Sequence, residues 1–267
     1  MGGFRLTNGR GKYVKDKLFF SNGEGFKLCG VISNPTENTK NLMITMCHGL
    51  TTSKDGRTYT RLESMLNKKG FSTFRFDFFG HGESEGKFED LTISEAVRDV
   101  HKAILFLRDS GYTKIGLMGS SFGGFASLIA ASQLPELRLL ALKSPVSDYL
   151  GLLIARDQNI DIQQWEKTGS TSVLSSDGRH LKLNYTFFKD AETIKSDDAI
   201  KRIKVPTQIV HGNKDKTVPL EQSTKCKQLI ESCRLEIIEG ADHTYTQPRH
   251  FEKMLSLIAD FITPFRI

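Results

Sequence analysis

Gly119-Ser120-Ser121-Phe122-Gly123 is the stretch on which the reading of this 267-residue chain turns. The apolar run Ile115-Gly116-Leu117-Met118 before it predicts a buried strand, and Phe125, Ala126, Leu128, Ile129 and Ala130 after it predict a buried helix. A serine at such a strand-to-helix turn is held in a strained, exposed position, as a nucleophile requires. The flanking glycines permit the sharp turn and the close approach of helix to sheet. A five-residue pattern arises by chance often enough that its surroundings must carry the argument.

Outward from this turn the chain alternates. Leu18-Phe19-Phe20 and Phe26 to Ile32 flank the turn-rich Ser21-Asn22-Gly23-Glu24-Gly25 and predict a β-hairpin. Leu42 to Cys47 is a continuous apolar run, suited to a strand covered on both faces. Tyr59, Leu62, Met65 and Leu66 have helical spacing, and Phe71 to Phe76 reads as a strand. Thr92-x-x-Glu95 is a capping-box signature opening a helix that lines up Val97, Val100, Ile104 and Leu107. A strand at 137–142 follows the helix at Phe122, and the pattern resumes with a strand at 207–211, a helix near 221–230, a strand at 235–238 and a last helix near 250–261. Strands alternating with helices predict an α/β fold: a mainly parallel central sheet with helices on both faces.

The rhythm breaks between 146 and 199, which holds the only tryptophan, Trp165, and the aromatic cluster Tyr185, Phe187 and Phe188. So long a break inside an α/β repeat predicts an insertion, leaving a core built from 1–145 and 200–267. The four aromatics either line a substrate pocket or form the insertion's own small core.

Serine-based acyl chemistry needs a base for the hydroxyl proton, an acid to orient that base and amides for the oxyanion. Parallel sheets place such groups on loops at the carboxyl ends of strands, and each candidate here follows a predicted strand. Ser121 follows the strand at 115, Asp215 lies in His211-Gly212-Asn213-Lys214-Asp215, and His243 lies in Glu239-Gly240-Ala241-Asp242-His243. Asp242 is the rival acid, but adjacent side chains seldom orient one another. Of the other histidines, His101 and His250 read as helix-surface residues, His180 lies in the insertion, and His211 reads as packed beside the acid. The oxyanion amides are expected from Phe122, directly after the serine, and from Leu50 in Cys47-His48-Gly49-Leu50-Thr51, where Gly49 allows an unusual backbone and His48 braces the loop.

Composition excludes several classes. With 38% hydrophobic and 25% charged residues the chain is an ordinary globular sequence. No apolar run reaches the roughly 20 residues that span a bilayer. The net charge of +6 is spread among 31 acidic residues without a basic tract, so neither a nucleic-acid nor a membrane partner is expected. Met1-Gly2-Gly3-Phe4-Arg5-Leu6 resembles neither a signal peptide nor a myristoylation site, which makes the cytoplasm the expected compartment. Four cysteines without metal-ligand or C-x-x-C spacing read as buried thiols. No phosphate-binding glycine loop, cofactor or metal site is expected.

The sequence resembles the α/β-hydrolase superfamily of serine hydrolases, and within it the feruloyl/cinnamoyl esterase-like carboxylesterases. The resemblance rests on His48-Gly49, on the stretch from Phe74-Arg75-Phe76-Asp77-Phe78-Phe79-Gly80-His81-Gly82-Glu83-Ser84 to Thr92, and on the elbow. It continues through His211-Gly212-x-x-Asp215-x-x-Val218 and Glu239-Gly240-Ala241-Asp242-His243. Two positions depart from those esterases: Ser120 stands where they often carry histidine, and Phe122 where they often carry glutamine. The resemblance implies that 146–199 forms a cap over the substrate. The expected activity is hydrolysis of small or medium acyl esters, hydroxycinnamoyl esters among them, through an acyl-enzyme, with a small-molecule ester as partner and a homodimer left open. A thioesterase, lipase or peptidase using the same residues is the alternative. A non-catalytic receptor on this fold commonly loses a triad member, and this chain keeps all three.

Overall fold

The computed structural model describes residues 4–6, 13–35, 42–155, 160–175 and 177–266. The hairpin expected at the start is present: β2 (Tyr13–Ser21) pairs antiparallel with β3 (Lys27–Pro35), and a short β1 (Phe4–Leu6) adds to its outer edge. Asn22 closes the turn by accepting from the Glu24 and Phe26 amides at 2.9 and 3.1 Å. After β4 (Met43–Cys47) the chain alternates: α1 (Arg57–Lys68), β5 (Ser72–Phe76), α2 (Ile93–Asp109), β6 (Ile115–Ser120), α3 (Phe122–Ala131) and β7 (Leu140–Lys143).

The next segment is α4 (Tyr149–Ala155), α5 (Ile162–Thr168), a separate hairpin of β8 (Ser170–Leu174) and β9 (His180–Asn184), α6 (Thr186–Thr193) and α7 (Ser196–Lys201). Alternation resumes with β10 (Thr207–Gly212), α8 (Leu220–Leu229), β11 (Cys233–Ile238) and α9 (Pro248–Ile262). Nine strands form one sheet in the order β1-β2-β3-β5-β4-β6-β7-β10-β11. It is parallel from β5 through β11 and antiparallel across β1, β2, β3 and β5. The central order β5-β4-β6-β7 means that the chain reverses direction across the sheet after β5. Loops at the carboxyl ends of β4 and β6 therefore open side by side, the usual place for a site.

Alternating side chains serve two apolar layers. Ile44, Met46, Met118, Ala141 and Val210 face α1 and α9, whereas Met43, Leu117, Leu142 and Ile209 face α2, α3 and α8. Both faces of the inner strands are thus dry, which is why β4 and β6 read as continuous apolar runs. Thr92 caps α2 by accepting from the Glu95 amide at 3.0 Å, but only half of the expected capping box forms. The Glu95 carboxylate instead accepts from Asn22 at 2.9 Å and pairs with Arg98, tying α2 to the hairpin. At the edges of the inserted segment, the Val146 amide still bonds to the Ser121 carbonyl at 3.3 Å, and α7 packs between α3 and α8. All four cysteines are buried free thiols. Among the described residues no helix is long and apolar enough to cross a membrane.

The packing of α3 onto the sheet depends on glycine. A Cβ at Gly119 would lie 2.5 Å from Ser127 Oγ and 2.6 Å from the Gly123 carbonyl oxygen, and one at Gly123 would collide with the Cys47 and His48 carbonyls. Gly123→Ala is therefore expected to lower the unfolding free energy by about 1–3 kcal/mol through overpacking. Urea unfolding reads this directly, and an unchanged midpoint would show that the Cys47–His48 backbone yields.

Candidate active site

Ser121 sits between β6 and α3 at φ 54°, ψ −116°, a left-handed conformation for a residue with a side chain. Such backbone costs on the order of 1–3 kcal/mol and persists only where its surroundings over-determine it. Here the Ser121 amide donates to the Lys143 carbonyl at 3.1 Å, and its carbonyl accepts from Phe125 and Val146 at 3.0 and 3.3 Å. The backbone is held on both sides and the hydroxyl is turned out of the sheet.

Two loops from distant sequence meet that hydroxyl. His243, after β11, has Nε2 3.1 Å from Ser121 Oγ and Nδ1 2.6 Å from Asp215 Oδ2, after β10. Asp215 is fully buried, yet its carboxylate is well supplied with donors. Oδ1 accepts from the Thr217 and Val218 amides, both at 2.8 Å, and His211 Nε2 lies 3.2 Å from Oδ2. Burial alone would push this carboxyl up; the hydrogen bonds from His211 and His243 outweigh it and hold it far below the usual carboxylate range. Burial pushes His243 down, and the nearby Lys143 charge pushes the same way, against the pull of Asp215. A neutral imidazole pinned at Nδ1 by a carboxylate and facing a hydroxyl with Nε2 can accept the hydroxyl proton. Asp242 is engaged elsewhere, accepting from the Thr246 amide at 3.0 Å and the Thr244 hydroxyl at 3.2 Å.

The loop after β4 passes beside the serine. A Cβ on Gly49 would lie 3.8 Å from Ser121 Cβ, an ordinary contact, and Gly49 does not have positive φ. The expectation that Gly49 supplies an unusual backbone is thus corrected: hydrogen bonds shape this loop. Its amide donates to Tyr59 Oη at 3.2 Å, and its carbonyl lies 2.8 Å from His48 Nδ1. His48 Nε2 accepts from the Phe78 amide at 3.1 Å, which fixes the Nδ1–H tautomer, and burial holds its pKa well below the usual range. His81 Nε2 meets the Leu50 carbonyl. Among the described residues neither the Leu50 nor the Phe122 amide is taken up by an internal acceptor. Behind them, buried Asp77 accepts from the Lys54 amide and Nζ at 2.7 and 2.8 Å and from the Glu83 amide at 3.0 Å. The long stretch around Asp77 is scaffolding for this loop.

A cavity of about 330 Å³ opens over Ser121 and His243. From the 146–199 segment it takes Val146, Tyr149, Leu152, Val173 and Leu174, and none of Trp165, Tyr185, Phe187 or Phe188. Placing those four in a substrate pocket is corrected by their packing: Trp165, Phe187 and Phe188 are buried, half-buried Tyr185 packs on Trp165 and Phe188, and Phe187 packs on Phe122 of α3. Trp165 is 1% exposed and donates to the Leu183 carbonyl at 3.0 Å, Tyr185 stacks on Phe188, and Phe187 lies 6.2 Å from the Phe122 ring.

With this geometry established, comparison with known proteins places the chain. A profile of the prolyl oligopeptidase family matches residues 58–264, most of the sequence. The chain belongs to the prolyl oligopeptidase family. It is a serine hydrolase of the α/β-hydrolase type. Human palmitoyl-protein thioesterase ABHD10, mitochondrial, is 25% identical over 215 residues, 78% of this chain and 69% of the relative. Est1E of Butyrivibrio proteoclasticus, solved with ferulic acid bound, superposes with a TM-score of 0.77 at 26% identity, covering 92% of this chain and 98% of that one. Mouse alpha/beta hydrolase domain-containing protein 10 shares the fold, with a TM-score of 0.74 at 22% identity over 93% of this chain and 98% of its own.

This family member carries a group that the sequence did not single out. Lys143, 6% exposed at the end of β7, donates from Nζ to the His243 carbonyl at 2.9 Å and lies 3.4 Å from Ser120 Oγ. Burial brings its pKa down to about 8, against the Asp215 and Asp242 charges that hold it up. The ammonium joins the serine turn to the histidine loop and faces the Tyr245 ring at 5.0 Å. The register Ser120↔Lys143 could have suggested the pair, but that register is known only once β6 and β7 are aligned.

The sign of the pH dependence follows. A lysine cation beside His243 disfavours the imidazolium, so the acid limb of kcat/KM is expected below about pH 6.5, the ordinary imidazole value. Lys143→Met should move that limb upward and Lys143→Arg should restore it. A limb that stays in place in Lys143→Met would show that the cation does not act on His243.

Proposed function

We propose that this hydrolase is a carboxylesterase working through an acyl-enzyme, with Ser121 as nucleophile, His243 as general base and acid, and Asp215 as the orienting acid. The continuous hydrogen-bonded line from Asp215 Oδ2 through His243 to Ser121 Oγ, 2.6 and then 3.1 Å, carries the reading. In the first half-reaction His243 Nε2 takes the Ser121 proton as Oγ attacks the ester carbonyl. The Leu50 and Phe122 amides hold the oxyanion, and His243 returns the proton to the departing alcohol. Water then attacks the acyl-enzyme under the same base, and Ser121 is regenerated.

The cavity's apolar lining, Val146, Tyr149, Leu152, Val173 and Leu174 with Val218 from the loop after β10, suits a small or medium acyl chain or an aromatic ring. Ferulic acid bound in Est1E supports hydroxycinnamoyl esters among the substrates. Thioester cleavage is the second reading, favoured by the name of the human thioesterase relative. The family's name points to amide cleavage as a third. The four buried free thiols favour a reducing compartment, in the simplest case the cytoplasm.

One panel decides among these: p-nitrophenyl esters from C2 to C12, methyl ferulate, an acyl-CoA and an aminoacyl amide. The esters are expected to be turned over fastest. A faster acyl-CoA or amide would replace the carboxylesterase reading. Ser121→Ala is expected to abolish turnover and fluorophosphonate labelling, and Asp215→Asn to lower kcat by about 10³–10⁴-fold. Full activity in Ser121→Ala would refute the mechanism.

A further inference from the structure

Charge is unevenly spread over the cavity lining. The 146–199 segment contributes Val146, Tyr149, Leu152, Val173 and Leu174, whereas the loop after β4 and the start of α1 present Thr51, Arg57 and Thr58, and the ends of β6 and β7 and the loop after β11 present Ser120, Lys143 and Thr244. Two cations line the cavity, and among the described residues no aspartate or glutamate does.

Among the described residues neither cation forms an ion pair with a carboxylate. The Arg57 guanidinium lies 3.6 Å over the Phe251 ring, a contact that occupies its face and leaves its N–H edge available. The acids close to it in the chain and on α9 are committed elsewhere. Asp55 pairs with Lys54 and Arg75, and Glu252 pairs with Arg61 at 2.9 Å. Lys143 donates to a carbonyl, and among the described residues it makes no ion pair. The carboxylates that influence it are both engaged, Asp215 by the two histidines and Asp242 by Thr244 and Thr246. The start of α1 adds to the same field, since its first turn holds no acidic residue and Gly56 offers no side-chain cap. Cationic groups facing a partly enclosed cavity without counter-charges favour an anion there, because the low-dielectric walls strengthen the attraction.

We propose that the preferred substrate is an ester bearing an anionic group, a carboxylate or phosphate, which Arg57 at the start of α1 and Lys143 at the end of β7 hold while the apolar part lies against the cap. This rests on the ester reading above and narrows its substrate class. Arg57, exposed and with a rigid planar fork, takes the anion directly. Lys143, deeper and beside Ser121, contributes its charge close to the scissile carbonyl. The anion can sit on the acyl side or on the alcohol side of the ester, and the recognition chemistry is the same for both.

Matched pairs separate these cases: monoethyl against diethyl adipate for the acyl side, and 3-butyryloxypropanoate or butyryloxyethyl phosphate against their methyl esters for the alcohol side. With acid release followed by pH-stat, at least one anionic member is expected to exceed its neutral partner in kcat/KM by about tenfold, the scale of one charge-assisted hydrogen bond. The ratio should fall about as far in Arg57→Gln and in high salt, which screens the exposed charge. Neutral members preferred in every pair, or a ratio unchanged in Arg57→Gln, would overturn the proposal. Turnover of p-nitrophenyl butyrate in the same preparations separates the two failures. A protein active on it but indifferent to the anion overturns this proposal alone, and one inactive on every ester overturns the ester reading and this proposal with it.

Discussion

A single left-handed residue at the end of β6 organises the site. With Ser121 at φ 54°, the chain leaves the sheet and enters α3 within one residue, so α3 must press against the backbone it has just left. That closeness leaves no space for a Cβ at Gly119 or Gly123. It also determines what stands around the serine. Gly123 is pressed against the Cys47 and His48 carbonyls, which brings the Gly49–Leu50 loop alongside the hydroxyl. The bond from the Ser121 amide to Lys143 brings the end of β7 to the other side. The strained backbone and the converging loops are one arrangement, since relaxing the first would separate the second.

Electrostatics add a second constraint. A buried carboxylate costs several kcal/mol unless it is hydrogen-bonded, and Asp215 meets this with two amides and two imidazoles. His211 matters here through its place: Nδ1 is held 2.6 Å from Ser223 Oγ, and Nε2 lies 3.0 Å from the Val218 carbonyl and 3.2 Å from Asp215. It braces the acid that braces His243. Lys143 works in the opposite sense, placing a cation where an imidazolium would form. Asp215 orients the imidazole, while burial first and the Lys143 charge second favour its neutral form.

The features legible in the sequence are those written in short local patterns. A G-x-S-x-G turn, an aspartate after one apolar run and a histidine after another are each readable within a dozen residues, and their order along the chain matches their meeting at 3.1 and 2.6 Å. The layers were legible too, because strands dry on both faces read as unbroken apolar runs. What stayed hidden depends on direction and register. The cap aromatics are identifiable as a cluster, but whether Phe187 faces a ligand or the Phe122 ring is decided by packing between segments far apart in sequence. Lys143 ends Leu140-Ala141-Leu142-Lys143, where a lysine reads as solvated, and its burial under the histidine loop comes from contacts a hundred residues away. Gly49 drew a conformational explanation because glycines so often need one. Its backbone is ordinary, and its loop is shaped by His48, Tyr59 and His81.

Ser120 and Phe122, the two positions that depart from the esterases this chain resembles, lie on either side of Ser121 and meet different surroundings. Ser120 faces Lys143, at 3.4 Å from its ammonium. Phe122 faces the Phe78, Tyr149 and Phe187 rings, 5.6, 6.0 and 6.2 Å away. Strand alternation accounts for the first direction and the start of α3 for the second. Asp215 and His243 come from other loops, after β10 and β11, but Ser121 shares its turn with both positions, and Lys143 links Ser120 to the His243 carbonyl. The Ser121 backbone and the surroundings on either side of it are thus coupled through one five-residue turn.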